Sequence, residues 1–521
     1  MKVLLVNPPT LHRWRPVTDE LARTQTSPYF TRLLRDDPSP ASTASTLPGE
    51  HLGLQSLAAS LRAAGHEAAI VDACGEFHGS LDETARRVGA FENVDLIGLT
   101  GPTDVIGEVR WLISHLRDTG FGGPIVLGND HATLNAQLEL SATPGLTYVL
   151  RGEAEHSLTV LVAALGGQCE LTDVPGLSWR AQDRICHNPH AQGVLELDAL
   201  SRPVRDRTAE VVANGMAASM FTKRGCPYSC AHCTTGLVGA RQGPTTGTGW
   251  RTKSPAVAAA EFLELGDAFG LTHLTIVDDL FVAKAAASHA WAYEFSELLI
   301  DARNTVTFMV DCRVDSLDEK LARTLVQAGL RRVFIGAESG STAALSMLNK
   351  RYRGVSPADQ VMTLKGLGID VILGFIMMSP GDTPASIGES VAFLELVQGR
   401  DFRLFSQRAR IYPGSLLESR VRQTAMLTGD FPFYGFEYAD RQMGLVAHVV
   451  REATRRVGDL VERHAPLELG VDLRLFSALA QGIRRLSERP PLGDAGEDDI
   501  EQLIDCLVAD CRSVVDVTGQ Q

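Results

Sequence analysis

The chain has no long apolar run. Its longest, such as Val371-Ile372-Leu373-Gly374-Phe375-Ile376-Met377-Met378, falls far short of the roughly 20 residues that a membrane helix needs. At the start, Val3 to Val6 is followed at once by Pro8-Pro9, which is too short for the core of a signal peptide. These two absences place the expected protein in the cytoplasm, with no membrane partner. Basic charge is also short. The 49 Lys and Arg face 63 Asp and Glu, a formal net charge of -14, which argues against a general nucleic-acid binder. A local basic pocket for a small anionic ligand stays open. Cysteine is sparse, with nine in 521 residues. In a reducing compartment close cysteine clusters mean metal or catalysis rather than disulfides. Cys74, Cys169, Cys186, Cys312, Cys506 and Cys511 are scattered and are expected to be small buried hydrophobes.

The other three cysteines are not scattered. Cys226, Cys230 and Cys233 stand in Arg224-Gly225-Cys226-Pro227-Tyr228-Ser229-Cys230-Ala231-His232-Cys233, a C-x₃-C-x₂-C run. A loop that gathers three sulfurs suits a soft metal or an iron–sulfur cluster. No fourth thiolate is in the run, and no second C-x₂-C exists elsewhere. A structural zinc would lack a ligand. A cluster would keep one iron open to another molecule.

Ahead of this run, short apolar segments alternate with amphipathic ones. Strands are expected at Lys2–Val6, Ala68–Val71, Asp95–Leu99, Pro124–Leu127 and Thr147–Leu150, with helices at Leu52–Ala64, Leu81–Ala90, Val105–Arg117 and Ala154–Leu165. Continuous apolar strands between helices predict a doubly wound, Rossmann-like α/β domain over residues 1–170. In such sheets ligands bind beyond the carboxyl ends of the strands. Those ends carry Asn7, Thr100, Gly128, Asn129, His131, Gly152 and Glu153. About forty residues separate the first strand from the first helix, longer than an ordinary loop. This insertion, residues 10–50, is either a surface decoration or a flap over the ligand.

Residues 171–218 hold Pro175-Gly176, Asn188-Pro189 and Arg202-Pro203 without a sustained period, a linker with room for a small hairpin. From 219 to 420 strand–helix units repeat about six times, the pattern of a partial (β/α)₆ barrel whose chemistry lies at strand carboxyl ends. Its last strand is expected at Arg403–Ser406. Those ends hold the cysteine loop, Asp278-Asp279, Arg313, and Glu338-Ser339. Residues 421–521 turn helical after an aromatic loop, Phe431 to Tyr438, and are expected to cap the barrel.

Val3-Leu4-Leu5-Val6-Asn7-Pro8-Pro9, Leu52-Gly53-Leu54, Gly128-Asn129-Asp130-His131 and Arg151-Gly152-Glu153 together resemble the cobalamin-binding domain that precedes many radical S-adenosylmethionine (SAM) domains. The cysteine run, with Val277-Asp278-Asp279, Asp311-Cys312-Arg313, Gly336-Ala337-Glu338-Ser339-Gly340 and Tyr412-Pro413-Gly414, resembles the radical SAM superfamily. The resemblance implies a 4Fe–4S cluster on Cys226, Cys230 and Cys233, SAM chelating the open iron, cobalamin, a small-molecule substrate, and an electron donor such as flavodoxin or ferredoxin. It implies SAM contacts for His232, Asp278 or Asp279, Arg313, Glu338 and Ser339, and cobalamin contacts for the strand-end residues, His131 among them. Two departures stand out. His232 replaces the usual aromatic before the third cysteine, and Asp278-Asp279 replaces a Gly-Gly-Glu. The D-x-H-x-x-G motif that supplies a histidine to cobalt is absent after the first strand. The expected activity is C-methylation of a natural-product intermediate, as in antibiotic biosynthesis, by way of a 5′-deoxyadenosyl radical and methylcobalamin. The alternatives are a non-methylating radical oxidation, ring contraction or cyclisation, and, from another class, a cobalamin-binding sensor with a structural metal loop.

Overall fold

The run Lys2-Val3-Leu4-Leu5-Val6-Asn7 forms β1, and Val3 to Val6 are at most 1% exposed. A strand with no exposed face belongs in the middle of a sheet covered on both sides. The computed structural model describes residues 1–9, 50–73, 81–182, 184–190, 196–241, 249–352, 354–399, 401–423, 426–463, 469–489 and 496–518. The 10–50 insertion lies outside them, apart from Glu50, as does Cys74. The chain divides into two compact units. Residues 1–229, 234–311 and 323–332 form the first, and residues 230–233, 312–322 and 333–521 the second.

In the first unit β1 pairs in parallel with β2 (Glu67–Asp72) on one side and β3 (Leu96–Thr100) on the other. Then follow β4 (Ile125–Gly128), β5 (Tyr148–Leu150) and the hairpin β6 (Leu177–Ala181) and β7 (Arg184–His187), giving the order β2-β1-β3-β4-β5-β6-β7. The order reverses between β1 and β3, which opens a crevice at their carboxyl ends. The residues expected to be linker therefore supply an antiparallel edge, with Leu177 opposite Leu150 and Trp179 opposite Tyr148. Helices α1 (Leu52–Ala63), α2 (Leu81–Gly89), α3 (Ile106–Asp118) and α4 (Asp130–Ala142) connect the parallel strands, and α5 (Glu155–Leu165) leads from β5 to the antiparallel edge. Leu54, Ala58 and Leu61 of α1 and Leu158, Leu161 and Val162 of α5 bury against Val3, Leu5 and Val126.

After the short helix α6 (Thr208–Ala213), β8 (Ala218–Met220) begins a second sheet. It leads into the two-residue strand β9 (Lys223–Arg224), the cysteine loop, α7 (Thr235–Arg241) and β10 (Arg251–Thr252), which pairs with β9. Ser254 caps α8 (Pro255–Phe269), with proline at its first position and Gly270 closing it in the left-handed region. Then β11 (His273–Ile276), α9 (Ala286–Asp301), β12 (Thr307–Arg313), α10 (Glu319–Ala328), β13 (Leu330–Glu338), α11 (Thr342–Met347), α12 (Pro357–Gly366) and β14 (Asp370–Phe375) alternate. Within the first unit β11 pairs in parallel with β8 on one side and β12 on the other. Phe262, Phe281, Trp291, Phe295 and Phe308 stack edge-on or face-on at centroid distances of 5.3 to 6.2 Å in the first unit's core.

In the second unit the sixth barrel strand expected at Arg403–Ser406 is a 3₁₀ turn, Phe402–Ser406, following α13 (Pro384–Leu396). Asp401 accepts from the Arg403 N–H, and Phe402 and Phe405 are both buried. A spacing of three suits a 3₁₀ turn, whereas a strand would bury every second residue. A single parallel bridge, Met378 with Arg408, is what forms in that place. Beyond α14 (Leu416–Gln423), β15 (Leu427–Thr428) and β16 (Gly435–Phe436) make a small hairpin. Phe436, 1% exposed, packs with Ala409, Ile411, Leu417 and Ala231 of the cysteine loop. Three long helices, α15 (Arg441–Arg463), α16 (Leu469–Ser487) and α17 (Glu497–Thr518), form the expected helical region. Among the described residues no helix is long and apolar enough to cross a membrane. Of the scattered cysteines, Cys312 and Cys511 are buried as expected, Cys169 and Cys186 are half-buried, and Cys506 is exposed.

Candidate functional site

The crevice between β1 and β3 is a cavity of about 420 Å³ within the first unit, in the range of small-molecule sites. Thr100, Gly128, Asn129, Gly152 and Glu153, expected from their strand ends, all line it. Asn129 holds φ at +91°, and its side-chain oxygen accepts from the Asp130 N–H at 2.6 Å. Its amide donates to Thr100 Oγ1 at 3.0 Å. Asparagine tolerates this backbone because its own side chain satisfies it. A Cβ added to Gly128 would meet nothing within 4 Å, so the wall is bare there. His51, not singled out from the sequence, also lines the cavity. Its Nδ1 accepts from the Leu54 N–H at 3.2 Å and caps α1, which leaves Nε2 toward Thr100 Oγ1 at 3.4 Å. A histidine acting as helix cap was the one available signal for it.

Two expected cobalamin contacts are corrected. Asn7 is not on the cavity wall: it is buried and donates to Asp72 Oδ1 at 2.8 Å. His131 points into the core, where its Nδ1 pairs with Thr103 Oγ1 and its Nε2 with Glu139 Oε1, both at 2.9 Å. Glu139 is closed by Arg110 at 2.6 Å. Burial alone would raise the Glu139 pKa, but His131 and Arg110 hold it below its ordinary value.

The same cavity is also lined by residues around the first cysteine and further along the chain. Lys223, Arg224, Gly225, Thr235, Arg251 and Asp279 line it. Gly225 sits at φ +77°, and a Cβ there would meet the Gly249 carbonyl oxygen at 2.5 Å, so glycine is required immediately before Cys226. Arg251 grips Glu153 at 2.5 and 3.0 Å, and Arg224 grips Glu155 at 2.5 Å. Asp278 does not serve as an open carboxylate. It is 1% exposed and accepts from the Thr222 and Lys223 N–H groups at 2.6 and 2.8 Å and from Thr222 Oγ1 at 2.5 Å. It ties the strand exit that leads to the cysteines, so the expectation of a ligand-facing carboxylate narrows to Asp279. Asp279 accepts from Thr235 Oγ1 at 3.1 Å and lines the cavity. Surrounding protein and the neighbouring Asp130 and Asp278 carboxyls push it up to about 6. Asp311 is pushed up to about 7 by burial and by Asp278 and Asp279.

In the second unit the chain from Cys230 to Cys233 is pinned by its backbone. Ala231 donates to the Leu348 carbonyl and accepts from the Leu417 N–H, both at 2.8 Å. The three cysteines are half-buried. Among the described residues no three His, Cys, Asp or Glu side chains are gathered closely enough to hold a metal. Their chemistry still fits a cluster: soft, accessible donors, with the Arg313 guanidinium 3.7 Å from Cys230 Sγ. Arg313 donates Nε to Asp315 at 3.0 Å, the ordinary salt bridge, so its Nε edge is already taken. Glu338 holds φ at +64° and pairs with Lys350 at 2.6 Å, with His232 Nε2 at 3.7 Å. Burial would raise Glu338, but Lys350, His232 and Arg313 hold it below its ordinary value. His232 is lowered by burial, and its Nδ1 is buried without a hydrogen-bond partner. Such an orphan suits a polar ligand group. Ser339 is corrected: it is 1% exposed, shares a hydrogen bond with Ser390 at 3.0 Å and accepts from the Ser341 N–H, facing no open space.

Residues 41–162 match the B12 binding domain and residues 220–394 the Radical SAM superfamily. The chain joins a B12-binding domain to a radical SAM domain. That makes it a cobalamin-dependent radical SAM enzyme, and such domains work with cobalamin, SAM and a 4Fe–4S cluster. An uncharacterised methyltransferase of Pyrococcus horikoshii is 25% identical over 390 residues, covering 74% of this chain and 82% of that protein. An anaerobic magnesium-protoporphyrin IX monomethyl ester cyclase of Synechocystis is 26% identical over 343 residues, 64% of this chain and 66% of that protein. A bacteriochlorophyllide d C-8(2)-methyltransferase of Chlorobaculum tepidum is 22% identical over 353 residues, 64% and 70%. In fold, the chain is similar to the cobalamin-dependent SAM radical enzyme OxsB, solved with aqua-cobalamin and SAM (TM-score 0.73, 16% identity, 99% of this chain and 80% of that one). It is also similar to the radical SAM methyltransferase TsrM of Kitasatospora setae, solved with cobalamin and a [4Fe-4S] cluster (TM-score 0.63, 17% identity, 99% and 100%).

Proposed function

We propose that this radical SAM enzyme is a C-methyltransferase that tailors a small-molecule natural-product intermediate in the cytoplasm. One observation carries the reading: one cavity is lined both by the strand-end residues Thr100, Gly128, Asn129 and Gly152 and by Lys223, Arg224 and Gly225, which run directly into Cys226. A methyl carrier held there would share its cavity with the residues that precede Cys226 in the chain. Cobalamin supplies a methyl group, and the cluster with SAM supplies the one-electron chemistry that opens a C–H bond. Cys226, Cys230 and Cys233 would hold the cluster, and His232 and Glu338 of the second unit would contact SAM.

The chain's own residues define the rest. Gly128 and Gly152 keep the cavity wall bare, while Thr100 and Asn129 offer hydrogen bonds from a prearranged pair. The Glu153–Arg251 and Glu155–Arg224 pairs brace the cavity wall. Asp279, held near 6, can take up or release a proton at Oδ close to neutral pH. An electron donor such as flavodoxin or ferredoxin completes the system.

The test is to incubate the anaerobically reconstituted enzyme with SAM deuterated in its methyl group, cobalamin, reductant and a small-molecule extract of the source cells. Methylation requires a deuteromethylated product, with S-adenosylhomocysteine and 5′-deoxyadenosine formed together. Relatives named as cyclases favour a second reading, a radical oxidation, ring contraction or cyclisation. Under it 5′-deoxyadenosine accompanies a modified but unlabelled product, and S-adenosylhomocysteine does not accumulate.

A further inference from the structure

Arg313 closes β12 and is 7% exposed. It is anchored on three sides. Nε donates to Asp315 Oδ1 at 3.0 Å, Nη2 to the Arg351 carbonyl at 3.5 Å, and the guanidinium carbon lies 5.4 Å from the centre of the Tyr352 ring. Tyr352 is itself fixed, its hydroxyl donating to the carbonyls of Gly336 and Ala337 at 2.9 and 3.0 Å. The remaining nitrogen, Nη1, donates to Cys230 Sγ at 3.7 Å. A planar guanidinium held this way presents one N–H to the sulfur in a fixed direction, which a flexible lysine would not do.

We propose that Arg313 is a positioning residue that sets the reduction potential of the iron–sulfur cluster through the Cys230 sulfur. The proposal rests on the reading of Cys226, Cys230 and Cys233 as cluster ligands. Reduction adds one electron, and part of that charge falls on the ligating sulfurs. A hydrogen bond to one of those sulfurs stabilises the reduced form more than the oxidised form and raises the potential. Burial keeps water from screening the interaction. Asp315 offsets much of the net charge of Arg313, so the directed N–H, more than the charge, carries the effect. An external low-potential donor could then load the cluster with an electron before SAM is cleaved.

The experiment uses the full chain, reconstituted anaerobically as wild type, Arg313→Gln and Arg313→Lys. Iron and sulfide assays establish four irons per chain, and the midpoint potential is read by EPR-monitored titration without SAM. The expected result is a lower midpoint in Arg313→Gln and a smaller drop in Arg313→Lys, with iron content unchanged. If Arg313→Gln does not assemble, Arg313→Lys alone carries the comparison. A midpoint equal to wild type in a variant with four irons would overturn the proposal and leave the cluster assignment standing. A wild-type chain that takes up no four-iron cluster would instead refute the ligand reading, and the proposal with it.

Discussion

Replacing His131 by alanine separates structural from cofactor roles at the first sheet. The side chain is wholly buried and loses two hydrogen bonds: one to the neutral Thr103 hydroxyl and one to the Glu139 carboxylate, both 2.9 Å long. A neutral bond contributes about 1 kcal/mol and a bond to a charged group about 1.5–3 kcal/mol. The vacated ring volume adds to this, while the surviving Arg110–Glu139 pair at 2.6 Å spares the carboxylate from full isolation. The cost should be about 3–4 kcal/mol. At about 2–4 °C per kcal/mol for a domain of this size, the first transition should fall by roughly 6–16 °C. Trp111, on α3 and stacked on His115 at 5.0 Å, is a fluorophore within that domain. Glu139 adds a pH signature. Its carboxyl is held below the ordinary 4.5, so its contribution is fully present above that value and is lost as pH falls through the lower folded value. The gap between wild type and variant should shrink there. Cobalamin binding, followed by its visible absorption at a temperature where both proteins are folded, should change by no more than about twofold, since well under 1 kcal/mol is at stake for a residue off the cavity wall. An unchanged transition together with a tenfold loss of cobalamin affinity would refute the argument and restore His131 as a contact.

The cavity should respond in the opposite sense. Gly128→Leu places a side chain in open space, so equilibrium dialysis should show cobalamin binding lost while the melting profile stays near wild type. Glu338→Ala strands the buried Lys350 ammonium and should cost about 3–5 kcal/mol by urea unfolding, most of it recovered when Lys350→Met is added. Asp311 behaves as a raised carboxyl. Its stability contribution is fully present below 3.8 and is lost as pH rises through about 7. Asp311→Asn should therefore stabilise the cofactor-free chain increasingly from pH 4 to 7, with a plateau above, by thermal unfolding across that range.

What could be read in the chain before folding divides along physical lines. The C-x₃-C-x₂-C run and the alternation of apolar strands with helices are local patterns, and local patterns suffice for the domain types. Thr100, Gly128, Asn129 and Gly152 were legible because strand carboxyl ends face the switch-point crevice in any doubly wound sheet. The misreadings arose where two local patterns coincide. Phe402-Arg403-Leu404-Phe405 is apolar enough for a strand, and the Asp401 side chain that accepts from the Arg403 N–H instead tightens it into a 3₁₀ turn. His131 follows Asn129 by two residues, yet α4 begins at Asp130, so the turn of the helix carries His131 away from the cavity that Asn129 lines.

Partnerships across the chain are a different matter, since no spacing rule encodes them. Glu139 and Arg110, Asp278 and Thr222, and Arg313 and Cys230 are separated by 29, 56 and 83 residues. Each pairing also decides which polar atoms are left for a ligand. Asp278 and Asp279 are adjacent carboxylates with equal claim to an ammonium in the sequence. The strand exit at Thr222 and Lys223 uses up the first, and the cavity receives the second. The same logic makes His232 the residue to watch in the loop. Glu338 could neutralise it, but Lys350 holds that carboxylate at 2.6 Å against 3.7 Å for the imidazole, and the His232 Nδ1 lone position stays buried and unpaired. An imidazole whose neutral form is favoured by burial can accept or donate at that atom without carrying charge. The residue that departs from the usual aromatic therefore keeps a flat face and adds a hydrogen-bonding edge beside the third cysteine.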